Sequence, residues 1–347
     1  MTTGFADSAY TTAGNSRSLT FADGTNSRVF DTVNQQPMLN SVNLQLIHNA
    51  PIGGKIELTA GQDADILASY PTANNNSFDI TNAYLSGTSG PFTLLFGKFS
   101  TLAGAEVLES PSNLNYSRSI LFGYAIPFTH TGVRLTWAAT PFLSVIAGVN
   151  NGWDNTKGPG GPRTGEGGLA YTNKNLTLTA QGYSGTERIS NAAWTNPSAF
   201  PPGFDTATHR SVIDAVATYK FGSFVTGTVN FDHGHQAIAP VADSTGTFVG
   251  FGPANWNGGA GYVAAQITSK LQVIGRYEVF SDPQGARTSY NQQWNEGTLT
   301  FAYAPSSALL FRLEGRADHS NHSVWANANG SPTNGLSTVS FESIVKF

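Results

Sequence analysis

Leu309-Leu310-Phe311-Arg312-Leu313-Glu314-Gly315-Arg316-Ala317-Asp318 alternates strictly: its odd positions are apolar or small, and Arg312, Glu314, Arg316 and Asp318 fall on the other face. A β-strand, whose side chains point alternately to opposite sides, produces this segregation. The same period recurs in Val133-Arg134-Leu135-Thr136-Trp137, in Val225-Thr226-Gly227-Thr228-Val229-Asn230-Phe231-Asp232 and in Leu271-Gln272-Val273-Ile274-Gly275-Arg276-Tyr277-Glu278-Val279. With their flanks these strands reach about ten residues, whereas strands of soluble sandwiches average five or six. A lectin-like sandwich would also carry charge on its outward faces, and here those faces are apolar.

Composition points the same way. Only 12% of the 347 residues are charged, about half the usual share, and Gly, Asn, Thr and Ser take their place. No window approaches 18 uncharged apolar residues, so no transmembrane helix is expected. The other structure that satisfies its backbone in lipid is a closed barrel. Cys is absent, and the net charge of -4, with no Lys/Arg run, argues against a nucleic-acid partner. This weakly acidic balance leans toward cations. The start, Met1-Thr2-Thr3-Gly4-Phe5, has neither a basic n-region nor an apolar h-region, so the secretory leader of an exported chain is expected to have been removed.

Turn chemistry sorts the connections into two kinds. Short turns are expected at Gly53-Gly54, Ser89-Gly90-Pro91, Thr140-Pro141, Asn173-Lys174-Asn175, Gly222-Ser223, Ser269-Lys270 and Pro305-Ser306-Ser307. Long loops alternate with them over residues 15–37, 67–77, 101–129, 154–163, 188–208, 236–254, 283–288 and 321–335. Such alternation belongs to outer-membrane barrels, with short periplasmic turns and long outer loops. The expectation is one all-β domain over residues 1–347: a transmembrane, antiparallel, up-and-down barrel of about 16 strands with an aqueous lumen. Residues 78–87 and 92–100 alternate poorly and are the weakest strands. The segment from Leu336 to Phe347 alternates and ends on an aromatic residue, as bacterial outer-membrane barrels do. Trp137, Trp153, Tyr171, Tyr219, Phe221, Tyr303 and Phe347, near strand ends, are expected to form interfacial girdles.

Three blocks carry a family resemblance: Phe96-Gly97-Lys98-Phe99 through Ala103-Gly104-Ala105-Glu106-Val107, then Asn115-Tyr116-Ser117-Arg118-Ser119, then Tyr124 through Arg134. With Gly148-Val149-Asn150-Asn151-Gly152-Trp153-Asp154 they resemble the OmpL-like β-barrel outer-membrane porin family. The resemblance implies a porin of a Gram-negative-type envelope and says little about the solute. The turn count sets this block between strands six and seven, or five and six if a weak strand is dropped. By analogy with general-diffusion porins, residues 101–129 are expected to fold into the barrel and set the constriction, since loops this long are rarely structureless. An ordinary outer loop, or an extra hairpin with residues 117–128 as a strand, is the competing expectation.

Lys98, Arg134, Arg276, Glu278, Arg312, Glu314 and Arg316 are expected on inward faces, and Glu106, Glu109 and Arg118 on the constriction loop. Charges of both signs at a narrow point would select solutes by their field; otherwise they solvate the wall and pair with one another. His233-Gly234-His235 and His319 with His322 are too few ligands for a metal site, and none is expected. Gly259-Ala260-Gly261 lacks the following helix of a nucleotide fingerprint, and no catalytic motif appears, so neither enzyme nor cofactor is expected. The predicted activity is passive diffusion of small hydrophilic solutes or ions through an outer membrane. The expected partners are membrane lipid and lipopolysaccharide, with a homotrimer by analogy. The alternative is a barrel scaffold that sheathes a partner protein in its lumen, such as an electron-carrying cytochrome.

Overall fold

A computed structural model of the chain describes every residue except 17, 70–76, 158–163 and 191–204. Sixteen strands of the described residues close into one barrel: β1 (Thr2–Ala13), β2 (Pro37–His48), β3 (Ile52–Ala60), β4 (Phe78–Ser89), β5 (Phe92–Ser100), β6 (Thr129–Ala138), β7 (Leu143–Asn150), β8 (Thr164–Thr172), β9 (Leu176–Ser190), β10 (Asp205–Phe221), β11 (Val225–Ala242), β12 (Phe248–Gln266), β13 (Leu271–Asp282), β14 (Gln292–Ser306), β15 (Leu309–Ser320) and β18 (Gly335–Lys346). Two two-residue strands, β16 (Trp325–Ala326) and β17 (Pro332–Thr333), pair with each other inside the last loop. Each barrel strand runs antiparallel to its neighbours in the chain, and β1 against β18 closes the ring from Phe5↔Lys346 to Ala13↔Thr338. Phe347 and Gly4 extend that seam through reciprocal backbone bonds of 2.8 and 2.9 Å. Closure leaves the barrel no free edge to desolvate.

The alternation in β15 has the expected outcome. Leu313 is 51% exposed on the outer wall, while Glu314, one residue on, is 2% exposed inside. The outer face of the other strands is likewise apolar, with Leu94, Phe96, Val229, Phe231, Tyr277, Leu299, Phe301, Val339 and Phe341 exposed. Strands β9 to β12 run 15 to 19 residues, well beyond the 9–11 that cross a bilayer, whereas β2 to β8 run 8 to 12. The wall is therefore taller at β9 to β12 than at β2 to β8.

Several boundaries differ from expectation. Gly53 and Gly54 lie within β3, because the turn between β2 and β3 is residues 49–51. The expected loop 236–254 shrinks to residues 243–247, because polar and glycine-rich segments continue the ladder between β11 and β12 through two register shifts. Residues 62–67 form a short helix, α1 (Gln62–Leu67), at the head of the β3–β4 loop. Parts of the expected loops 67–77, 154–163 and 188–208 lie outside the described residues. Trp153 is buried at 6% exposure instead of joining an outer girdle, whereas Trp137, Tyr219, Phe221, Tyr303 and Phe347 are exposed on the wall.

The apolar core sits in the lumen and is supplied largely by loops. Leu19, Phe21, Phe30, Leu108, Ile120, Leu121, Phe122, Ile126 and Trp153 pack there with Trp256, Phe280, Tyr290 and Trp294.

Candidate functional site

Residues 101–128 join β5 to β6, which corrects the six-to-seven placement, and run inward from there. In a ring of sixteen strands the point opposite β5 and β6 is β13 and β14, and there the loop makes its firmest bonds. Arg276 on β13 donates to the Ser117 carbonyl at 2.6 Å, and Glu278 accepts the Ile120 and Leu121 N–H groups at 2.7 and 3.1 Å. Glu314 on β15 accepts the Tyr116 and Ser117 N–H groups at 2.8 and 3.0 Å. Arg316 donates to the Arg118 carbonyl at 2.7 Å, and Arg312 donates to the Asn113 and Ser110 carbonyls. The loop therefore crosses the barrel interior. Its regular pieces are a 3-10 turn, Ser110–Ser112, and a π-helical turn, Leu121–Ala125, where a strand over residues 117–128 was the competing expectation. Trp256 on β12 caps that turn by donating from Nε1 to the Ala125 carbonyl at 3.0 Å.

The chemistry of this lacing follows from the wall. A non-helical loop brought out of water needs partners for its backbone N–H and C=O groups. The inward carboxylates accept from the N–H groups and the inward guanidiniums donate to the carbonyls. The opposite charges also pair with one another. Arg276 lies 2.6 Å from Glu296 and 2.9 Å from Glu106, and Arg316 lies 2.7 Å from Asp318. Arg312 lies 2.6 Å from Glu342, and Arg28 on the first loop ties Asp318 to Asp31 at 2.5 Å each. Glu106 also accepts from the Ser119 N–H and the Tyr262 hydroxyl, which pins the loop to β12.

The remaining expected site residues lie elsewhere in the lumen. Arg134 pairs with Glu166 at 2.6 Å and stacks on Phe99, and Lys98 pairs with Asp79 at 2.9 Å, both on the side where the loop departs. Arg118 is buried against Phe30 and donates to the Tyr116 and Leu108 carbonyls. Glu109 is the most exposed of these carboxylates, 3.4 Å from Lys55. All ten are thus partnered, and only the stretch from Glu106 to Arg118 with β13 and β15 forms one connected network. Beside it lies a cavity of about 10 Å³, room for roughly one water, lined by Asp7, Asp31, Asn40, Asp63 and Arg118. Burial pushes the Asp63 carboxyl up to about 7 against the opposing pull of Arg118.

Sequence reading missed several members. Glu296 follows the parity of β14 but was passed over, and Glu166 stands among glycines that blur the alternation of β8. Arg28 and Asp31 sit on the first loop and Asp63 in the short helix α1, where no strand period marks a direction. His233 and His235 lie inside β11 with His233 exposed on the outer face, and His235 bonds Asn255.

The fold and the lumen invite comparison with known proteins. No curated protein matches the chain in sequence. Among solved structures, the trimer form of OmpT from Vibrio cholerae is 11% identical with a TM-score of 0.62, covering 100% of this chain and 98% of its own. The anion-selective porin from Comamonas acidovorans is 10% identical with a TM-score of 0.61, covering 100% and 99%. Salmonella typhi OmpF in complex with daunomycin is 10% identical with a TM-score of 0.63, covering 100% and 97%. At such identities the likeness is one of fold. The sequence itself matches a family model over residues 2–347. Located in the bacterial outer membrane, the chain is a porin and belongs to the family described as Putative beta-barrel porin-2, OmpL-like.

Proposed function

We propose that this porin passes small hydrophilic solutes or ions with no chemical step, and that residues 101–128 set its narrowest point. The observation that carries this reading is the loop's attachment to β13 and β15, across the lumen from its origin. Solutes then have to pass beside a loop whose charges are held in fixed positions. Glu106, Glu109 and Arg118 act on the loop, and Lys98, Arg134, Arg276, Glu278, Arg312, Glu314 and Arg316 act from the wall. Fixed charge at a constriction selects by its field as well as by its width. Three copies would associate side by side, as in the trimer form of OmpT from Vibrio cholerae, with lipid and lipopolysaccharide around them.

Single-channel conductance of the refolded protein in a planar bilayer, under a salt gradient, tests the reading. Long-lived openings are expected, with an ion preference that shifts when Glu106 or Arg118 is neutralised. A folded barrel that never opens would overturn it and favour a scaffold whose lumen holds a partner protein.

A further inference from the structure

Most arginines facing the lumen rest on a carboxylate: Arg28, Arg134, Arg276, Arg312 and Arg316 each have one within 2.9 Å. Arg118, Arg210 and Arg287 do not, and Arg118 donates its Nη groups to the Tyr116 and Leu108 carbonyls. Arg210 points inward from β10 and Arg287 from the loop between β13 and β14, and both guanidiniums lie against the Trp153 indole, 4.9 and 5.4 Å from the ring centre. Arg287 also lies 5.1 Å from the centre of the Trp256 ring, which meets Trp153 edge-on. Each arginine is anchored through Nε alone, Arg210 to the Gln236 side chain at 2.7 Å and Arg287 to the Tyr124 carbonyl at 2.6 Å. Their terminal Nη groups donate to no protein acceptor among the described residues.

The carboxylates nearby are already engaged. Glu187 accepts from the Trp153 N–H, Asp154 from the Phe128 and Thr129 N–H groups, and Asp282 from the Ala286, Arg287 and Thr288 N–H groups. They hold the loops in place, and none forms an ion pair with either guanidinium among the described residues. Aromatic faces attract a cation without neutralising it. Burial, with the repulsion of Arg210, pulls the Arg287 guanidinium down to about 10 despite Asp282 and Asp154. These carboxylates lie within electrostatic reach of the two guanidiniums but leave their terminal Nη donors open.

We infer that Arg210 and Arg287, set against Trp153 and Trp256 beside the π-helical turn of the crossing loop, bind the carboxylate or phosphate group of a small anionic solute. A guanidinium presents paired N–H donors that match an oxyanion in a way that a halide cannot. Binding rests only on the folded lumen, whereas its use as a station for permeating solutes rests on the channel reading.

The test uses the full-length refolded barrel and two readouts, channel current and tryptophan fluorescence, with inorganic phosphate and succinate as probes against chloride at equal ionic strength. Saturable changes in both readouts are expected with phosphate or succinate. Arg210→Gln and Arg287→Gln should each weaken the apparent affinity about tenfold or more, the loss expected for hydrogen bonds to a charged group. Arg287→Lys keeps the charge but not the fork, and should fall between. A conducting channel with no saturable response to either anion would overturn the site, and so would an equal response in the Gln variants, which marks simple screening. A saturable fluorescence change in a barrel that does not conduct would sustain the site and sink the channel reading alone.

Discussion

At the residue scale, the lumen works by pairing opposites in a place where an unpaired charge is costly. Arg276 is the hub, bonded at once to Glu296, Glu106 and the Ser117 carbonyl. Arg276→Met leaves Glu106 buried without its cation and Glu296 with only Arg316 at 3.6 Å, so a loss of about 3–5 kcal/mol is expected. The guanidinium unfolding midpoint of the protein in detergent measures it, and a loss under about 1 kcal/mol would contradict the hub role. Glu109→Gln removes a carboxylate that is 21% exposed, 3.4 Å from Lys55, and should cost no more than about 1 kcal/mol. Asp63 provides a pH handle. Its carboxyl is raised to about 7 in the folded state by burial, and the charge of Glu342 adds to this. A raised folded-state value means that the neutral carboxyl's contribution is fully present below the unfolded value near 4 and is lost as pH climbs through about 7. Stability should therefore fall between pH 4 and pH 8, and Asp63→Asn should flatten that part of the profile. An unchanged slope in the variant would show that other groups carry it.

Each element meets a different solvent on its two faces. In β15 the outward Leu313 meets acyl chains and the inward Glu314 binds the loop, so two neighbouring residues carry unrelated duties. Leu313→Arg should cost about 2–4 kcal/mol if the residue lies near the bilayer midplane, read from unfolding in lipid vesicles. The same change assayed in a soluble sandwich strand would cost little, and a negligible loss here would argue against a lipid-facing outer wall. Glycine shapes the elements where the chain passes close to a ring or a carboxylate. A side chain at Gly234 on β11 would collide with the Trp256 indole, which lies across it from β12. Gly152, at φ 101°, turns the chain so that the Trp153 N–H reaches Glu187. Neither role could be read from alternation.

For the whole molecule, stability depends on closure, since the first and last strands are each other's partners. Removing residues 336–347 leaves β1 and β15 with unpaired edges in lipid, and no compact, heat-modifiable form should appear on refolding. A truncated chain that still folded would mean that β1 and β15 can pair directly. The alternation of β15 determined the strand type, and the spacing of turns gave sixteen strands joined by alternating short and long connections. These are local properties, written in side-chain period and turn chemistry, so one sequence suffices to read them. The weakly alternating segments at residues 78–87 and 92–100 were still found as strands because their position between turns required them. The extent of β11 and β12 was not legible, because Gly, Pro and polar residues above the bilayer obey no apolar period. The sequence marked residues 101–129 as a loop too long to be idle. Only the closed barrel decided that it crosses to β13 and β15, and that Arg210 and Arg287 meet over Trp153, because those partners lie more than 50 residues apart in the chain. Contacts at such separations are set by ring closure and by the demand that every buried charge and backbone group find a partner.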